Sequence, residues 1–228
     1  MRSLSLMLFI WLKSRLWKRR IVVTSYEHPR QTRLFELSSR IIDEADLKTS
    51  SITMNEASQI YRIVRATSKI DGDIAEVGVY KGGTAKIICE AKAHKTLHLF
   101  DTFEGLPELS EKDNPGQFHE NQYSCSLERV KDYLKGYSDV FFYKGLFPTT
   151  AGPVEQKKFS FVHLDVDLYE STMNSLVFFY PRMAVGGVLI SHDYLWVDAV
   201  RKAFDEFFKD KVEPIIELTD NQCMIVKC

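Results

Sequence analysis

The chain has 228 residues, of which 45% are hydrophobic and 27% charged. That balance suits one globular domain with a large core and excludes a disordered chain. A formal net charge of -1 leaves no basic excess for nucleic acid and no acidic excess for a polybasic partner.

Residues 4–12 (LSLMLFIWL) are apolar but too short to span a bilayer as a helix, and Lys13, Arg15, Lys18, Arg19 and Arg20 follow them. A secretory signal carries its charge before the apolar run and small residues after it, so secretion is not expected. Leu4, Leu8, Trp11 and Leu12 share one helical face above a basic rim. That face suits peripheral membrane contact through residues 1–20, and equally suits packing on the domain or on a second copy of the chain. The expected organisation is one domain in three regions: the apolar and basic segment over 1–25, a helical cap over 26–70 and an α/β core over 71–228.

Residues 31–43 and 55–68 read as helices, the second amphipathic with Thr53 near its start. Beyond residue 70, strand-like runs at 74–79, 96–101, 140–144, 159–166 and 187–191 alternate with helical patterns at 84–94, 127–134, 171–180 and 199–208. Residues 212–218 and 223–226 close the chain as a hairpin through 219–222. Alternating strands and helices predict a mostly parallel sheet with helices on both faces, and the hairpin adds an antiparallel strand. Four scattered cysteines, Cys89, Cys125, Cys223 and Cys228, have no CxxC spacing and indicate a reduced, cytoplasmic chain.

Ligands of such sheets bind beyond the carboxyl ends of the strands. There the chain places Glu76, Gly78, Tyr80, Gly82, Gly83 and Thr84 after the first strand, and Asp101, Thr102 and Phe103 after the second. The fourth strand delivers His163, Asp165 and Asp167, and the fifth His192, Asp193 and Tyr194. The glycine loop lacks the G-x-G-x-x-G of dinucleotide sites. With Asp101 placed to accept ribose hydroxyls, the loop fits a nucleoside without a pyrophosphate, and Glu76 suits an amino-bearing ligand.

Four strings in order, IAEVGVYKGG (74–83), LFDTFEGLP (99–107), HLDVDLYEST (163–172) and GGVLISHDY (186–194), resemble the macrocin O-methyltransferase (TylF/MycF-like) family. DAVRKAFDEF (198–207) is similar to that family's next helix, and the resemblance covers roughly residues 50–228. It implies a Rossmann-like class I methyltransferase fold with a seven-stranded, mostly parallel sheet and a C-terminal antiparallel β-hairpin. It further implies S-adenosylmethionine as donor, a divalent metal that is usually magnesium, a sugar or glycan hydroxyl as acceptor, and assembly as a homo-oligomer. Carried over, Glu76, Gly78 and Gly82 line the methionine part of the donor, with Tyr80, Gly83 and Thr84 in the same loop. Asp101 holds the ribose, with Thr102 and Phe103 nearby.

The resemblance makes Asp165 and Asp193 metal ligands. It also exposes a departure, because the family's acidic D-D-Y stands here as His192-Asp193-Tyr194. Magnesium prefers oxygen ligands, so His192 either points away, or favours another metal such as manganese, or weakens the site. A metal lowers the pKa of an acceptor hydroxyl, and a base then takes its proton. Asp167, His163 and His192 are the candidates for that base, and Asp167 is also a candidate third ligand. Plainer roles stand beside these: Asp167 as N-cap of the next helix, His163 as a hydrogen-bonded core residue, and loop 102–122 as either a lid or a long connection. Two rival functions are a metal-dependent glycosyltransferase using Asp165 and Asp167 as a D-x-D, and a non-catalytic donor-binding subunit.

Overall fold

The computed structural model describes residues 29–45 and 52–228. The segment 1–25, with the membrane or subunit contact expected of it, lies outside the described residues. Two compact units divide between Glu36 and Leu37, and the features that follow belong to Leu37–Cys228 except for the first part of α1.

Helices α1 (Pro29–Glu44) and α2 (Met54–Ala66) precede the sheet. Thr53 starts α2 with a reciprocal cap: its hydroxyl accepts the Glu56 N–H at 3.2 Å, and Glu56 Oε2 accepts the Thr53 N–H at 2.7 Å. Ala57, Ile60 and Val64 recur at helical spacing and are fully buried.

The sheet is built from β1 (Asp73–Val77), β2 (Leu97–Asp101), β3 (Val140–Lys144), β4 (Phe159–Leu164), β5 (Met183–Ser191), β6 (Ile216–Glu217) and β7 (Cys223–Val226). Its order is β3-β2-β1-β4-β5-β7-β6, with β7 antiparallel to β5 and β6. Helices α3 (Gly83–Ala91), α4 (Leu127–Leu134), α5 (Tyr169–Phe179) and α6 (Asp198–Phe208) connect or flank the strands. Strand alternation sends Ile74, Leu99, Phe161 and Ile190 into one core with α2 and α3. Ala75, Val77, Val162, Leu164 and Leu189 face the other, with α5 and α6. The chain runs outward from β1 and returns at β4, so a crevice opens beyond the carboxyl ends of these two strands.

The predicted elements are all present, with shifted ends. Strand β5 begins at Met183 rather than 187, and β4 stops at Leu164, before the paired aspartates. The hairpin differs most, since β6 keeps only two residues. Pro214 has no N–H for a ladder. Glu213 turns inward instead, where it accepts Lys227 Nζ at 2.5 Å and the Tyr180 hydroxyl at 2.6 Å.

Asp167 does not cap α5. It stands at φ 58 in the left-handed region, and Leu168 occupies the cap position without a side-chain bond. The cap comes from the long loop after β2: Asp113 Oδ1 accepts the Tyr169 N–H at 2.8 Å.

Candidate active site

The donor-side loop is organised by Asp101 at the end of β2. Its Oδ2 accepts the Val79 N–H at 2.6 Å and the Tyr80 N–H at 2.9 Å, and its Oδ1 accepts the Phe103 N–H at 2.6 Å. One carboxylate thus ties the β1 loop to the β2 loop. Gly78 has φ 84, and a Cβ there would lie 1.8 Å from the Asp165 carbonyl oxygen. Only glycine lets the β1 loop pass the end of β4 this closely. Gly82 takes φ 82 ahead of α3, where a Cβ would press on Val130 at 3.1 Å.

Across the crevice, Asp165, His192 and Asp193 each present one ligand atom, all within 4.8 Å of one another. His192 Nδ1 lies 3.2 Å from Asp165 Oδ1 and 3.1 Å from Asp193 Oδ2. It is aligned with neither and makes no hydrogen bond, although it is buried. An orphaned nitrogen between two carboxylate oxygens is a donor set that fits a divalent cation, with one nitrogen among the oxygens. Burial opposes charge on His192, but Asp165, Asp193 and Glu56 outweigh it and hold its pKa well above 6.5. Burial, then the charges of Asp165 and Asp193, push the Asp167 carboxyl well above 3.8.

These groups face one cavity of about 260 Å³. Gly78, Tyr80, Asp101 and Thr102 line one side, and Asp165, Asp167, His192 and Asp193 another. The loop after β2 walls it with Leu106, Phe118 and Tyr123, and Trp196, 78% exposed, also lines it.

Residues 39–227 match the family model described as Macrocin-O-methyltransferase (TylF). The chain belongs to this family. Among its relatives is the demethyldecarbamoylnovobiocin O-methyltransferase of Streptomyces niveus, 29% identical over 61% of this chain and 59% of that one. Another is the 8-demethyl-8-(2,3-dimethoxy-alpha-L-rhamnosyl)-tetracenomycin-C 4'-O-methyltransferase of Streptomyces olivaceus, 31% identical over 60% of this chain and 58% of that one. The match therefore spans about six tenths of these curated relatives. The solved O-methyltransferase NovP superposes with a TM-score of 0.70 at 22% identity, covering 86% of this chain and 99% of that one. That likeness shows the fold, the class I methyltransferase architecture expected from the resemblance.

Within this TylF-family chain, several of the residues singled out in the sequence stand away from the cavity. Glu76 is fully buried, and His163, its register partner on β4, is 1% exposed. His163 Nδ1 lies 3.2 Å from Glu76 Oε1, and the pair points into the α2/α3 side of the sheet rather than to the crevice. Burial, then Asp165 and Asp101, push the Glu76 carboxyl well above 4.5. Burial drops His163 to about 4, so the two form a neutral pair. His163 therefore stands apart from Asp165 and Asp167, although the three alternate in the sequence: β4 ends at Leu164, and Asp167 has turned left-handed. Gly82, Gly83, Thr84 and Phe103 do not line the cavity.

Other residues at the site carried no signal in the sequence beyond their types. Glu56, on α2, places Oε1 3.5 Å from His192 Nε2 and accepts the Asn221 N–H on the same oxygen at 3.1 Å. Asn221 also gives its side-chain amide to Asp193 Oδ1. The cap with Thr53 uses one oxygen of Glu56, and the other reaches the site. Tyr123 and Tyr80 meet edge to face at 5.6 Å across the cavity mouth.

Proposed function

We propose that the chain is an S-adenosylmethionine-dependent O-methyltransferase, assisted by a divalent cation, acting on a hydroxyl of a sugar or glycosylated small molecule. One observation carries this reading: a single cavity joins the Gly78–Asp101 loop pair to the cluster of Asp165, His192 and Asp193. Support for the acceptor class comes from the family and from the rhamnosyl-bearing substrate named for the Streptomyces olivaceus relative.

In the reaction, the acceptor oxygen forms a bond to the donor's methyl carbon as the carbon–sulfur bond breaks. S-adenosylhomocysteine leaves, and the hydroxyl proton passes to the protein. Backbone at Gly78 admits the donor close to the β1 loop, and the residual lone pairs of Asp101 face the ribose. Asp165, His192 and Asp193 would hold magnesium or manganese, and the nitrogen in the set favours manganese over magnesium. When bound, such a cation supplies Lewis acidity that acidifies the acceptor hydroxyl. Asp167 lines the cavity with a raised proton affinity, which suits it to take the hydroxyl proton at its carboxylate. Tyr123, Phe118 and Trp196 form an aromatic wall for the acceptor's apolar face.

We place the protein in the cytoplasm, where its thiols stay reduced; Cys89, Cys125 and Cys223 are free and buried. Among the described residues no helix is long and apolar enough to cross a membrane.

The test is calorimetric titration of S-adenosylmethionine into the full chain with magnesium, with manganese and after chelation, beside a nucleotide-sugar control. Donor binding and transfer of a labelled methyl group to a glycoside acceptor are the expected results. A nucleotide sugar binding in place of the donor would move Asp165 and Asp167 to glycosyl transfer. Donor binding without methyl transfer to any glycoside would leave a binding subunit.

A further inference from the structure

The resemblance leads one to expect a carboxylate at position 192, and this chain carries an imidazole there. A carboxylate has two equivalent oxygens to aim. An imidazole has two inequivalent nitrogens, and only one can be offered to a cation while the other keeps a hydrogen. The structure contains a group placed at each. Nδ1 stands between Asp165 and Asp193 and makes no hydrogen bond. Nε2 faces Glu56 Oε1 at 3.5 Å. Glu56 is 1% exposed and comes from α2, outside the strand ends that carry the other site residues.

We infer that Glu56 is a positioning residue for the cation site: it holds the Nε2–H of His192 so that the Nδ1 lone pair faces Asp165 and Asp193. The inference deepens the proposed function and rests on its divalent cation. Metal-bound histidines commonly give their second N–H to a carboxylate, which fixes the ring and raises its basicity. Glu56 is itself fixed. Its Oε2 is held by the Thr53 N–H at 2.7 Å and its Oε1 by the Asn221 N–H at 3.1 Å. The Thr53 hydroxyl is bonded to Asp220 at 2.5 Å, and Gln59 to Thr219 at 2.9 Å, so the β6–β7 turn is clasped onto the start of α2. The same turn holds Asp193 through the Asn221 amide. Helix α2 and the turn together thus orient both residues of the His192-Asp193 pair.

Four forms of the full chain test this: wild type, Glu56→Gln, His192→Asp and the double variant, each titrated calorimetrically with manganese and with magnesium. Glutamine still serves the reciprocal cap with Thr53, so α2 keeps its start. In wild type, Glu56→Gln is expected to weaken manganese binding about tenfold or more, the scale for losing such an outer partner. In the His192→Asp background the same change should cost clearly less, because aspartate has no N–H to give Glu56 and only the Asn221 contact on Oε1 is lost. His192→Asp alone shifts preference toward magnesium. Equal loss in both backgrounds would mean that Glu56 acts through its charge or through folding, and would overturn the inference. So would no loss in wild type. A wild-type chain that binds S-adenosylmethionine but no cation would instead defeat the cation reading, and the inference with it.

A second readout needs no variant at Glu56. In the wild-type chain loaded with zinc, long-range nitrogen–proton correlations assigned through His192→Asp should show His192 as the Nε2–H tautomer. The Nδ1–H tautomer would overturn the assignment.

Discussion

Asp113 and Tyr169 stand 56 residues apart, yet Asp113 Oδ1 accepts the Tyr169 backbone N–H at 2.8 Å and supplies the N-terminal bond that α5 lacks locally. Asp113 Oδ2 also holds the backbone and hydroxyl of Ser110, and Lys112 Nζ lies 3.7 Å over the Tyr169 ring. The long loop is therefore pinned at its middle, and its two flanks wall the cavity. Asp113→Ala should cost about 1 kcal/mol, the usual worth of an N-cap. For a chain of this size that lowers the melting temperature by about 2–4 °C. Steady-state kinetics should show a raised KM for the acceptor with a smaller change in kcat, because the wall loosens while the chemistry stays in place.

Asp101 accepts three backbone N–H groups, and asparagine has one oxygen to offer them. Asp101→Asn should turn an amide donor toward an N–H and splay the β1 and β2 loops. Expected is a loss of about tenfold or more in donor affinity by calorimetry, the scale of one lost charge-assisted bond. Donor affinity unchanged from wild type would show that the loops hold without it.

Glu76 distinguishes two views of the donor site. The family resemblance puts it against the donor's methionine portion, whereas the structure buries it against His163. Glu76→Gln keeps the shape and neutrality of that pair, so donor affinity should change by less than about twofold. A collapse of donor affinity would restore the contact to the donor. The sign of its pH effect is also fixed. A carboxyl raised above 4.5 in the folded state contributes stability below 4.5 and loses it as pH rises through the folded value. Relative to wild type, Glu76→Gln should thus become more stable in thermal melts as pH rises above 4.5.

Asp167→Asn is a clean probe of the proposed base. Asparagine tolerates the left-handed backbone that Asp167 adopts at φ 58. Methyl transfer should fall by about 10² to 10⁴, the usual contribution of a general base, while donor affinity measured by calorimetry stays near wild type. A kcat within a few fold of wild type would assign the proton to another group.

Glu213 gives the opposite pH signature. Burial disfavours its charge, but hydrogen bonds from Lys227 and Tyr180 outweigh this and hold its pKa at about 2. A depressed carboxyl contributes stability above its unfolded value near 4.5, lost as pH falls through the folded value. Glu213→Gln should cost about 2 kcal/mol at pH 7, the scale of a hydrogen-bonded charge. The gap between variant and wild type should close between pH 4.5 and pH 2 in thermal melts.

Much of the architecture was legible because it rests on periodicity. Ile74, Phe161 and Leu99 sit in apolar runs too short for helices, and Ala199 to Phe208 repeats at helical spacing. Asp165, His192 and Asp193 were legible because strand ends in such sheets converge. Three matters were not. The inward turn of Glu213 depends on Lys227 and Tyr180, neither near it in the chain. The neutral state of Glu76 and His163 depends on registering β1 beside β4, which local pattern does not specify. Asp113 and Glu56 reach the site from 56 and 136 residues before Tyr169 and His192, so spacing carried no trace of them.

The contact of Gly78 with the Asp165 carbonyl divides the molecule's capacity for change into two parts. No side chain at 78 can enter without displacing the strand end that carries Asp165, so the donor loop and the acidic cluster must vary together or not at all. The wall formed by the loop after β2 meets the donor loop through the Tyr123 and Tyr80 rings, a side-chain contact that can be repacked. New acceptors can therefore be acquired by substitution along that wall, at Leu106, Phe118, Tyr123 or Trp196, while the methyl-donating half is inherited intact. A library confined to those four positions is the economical route to altered substrate scope, and one that includes Gly78 would spend its members on chains that lose both halves of the site.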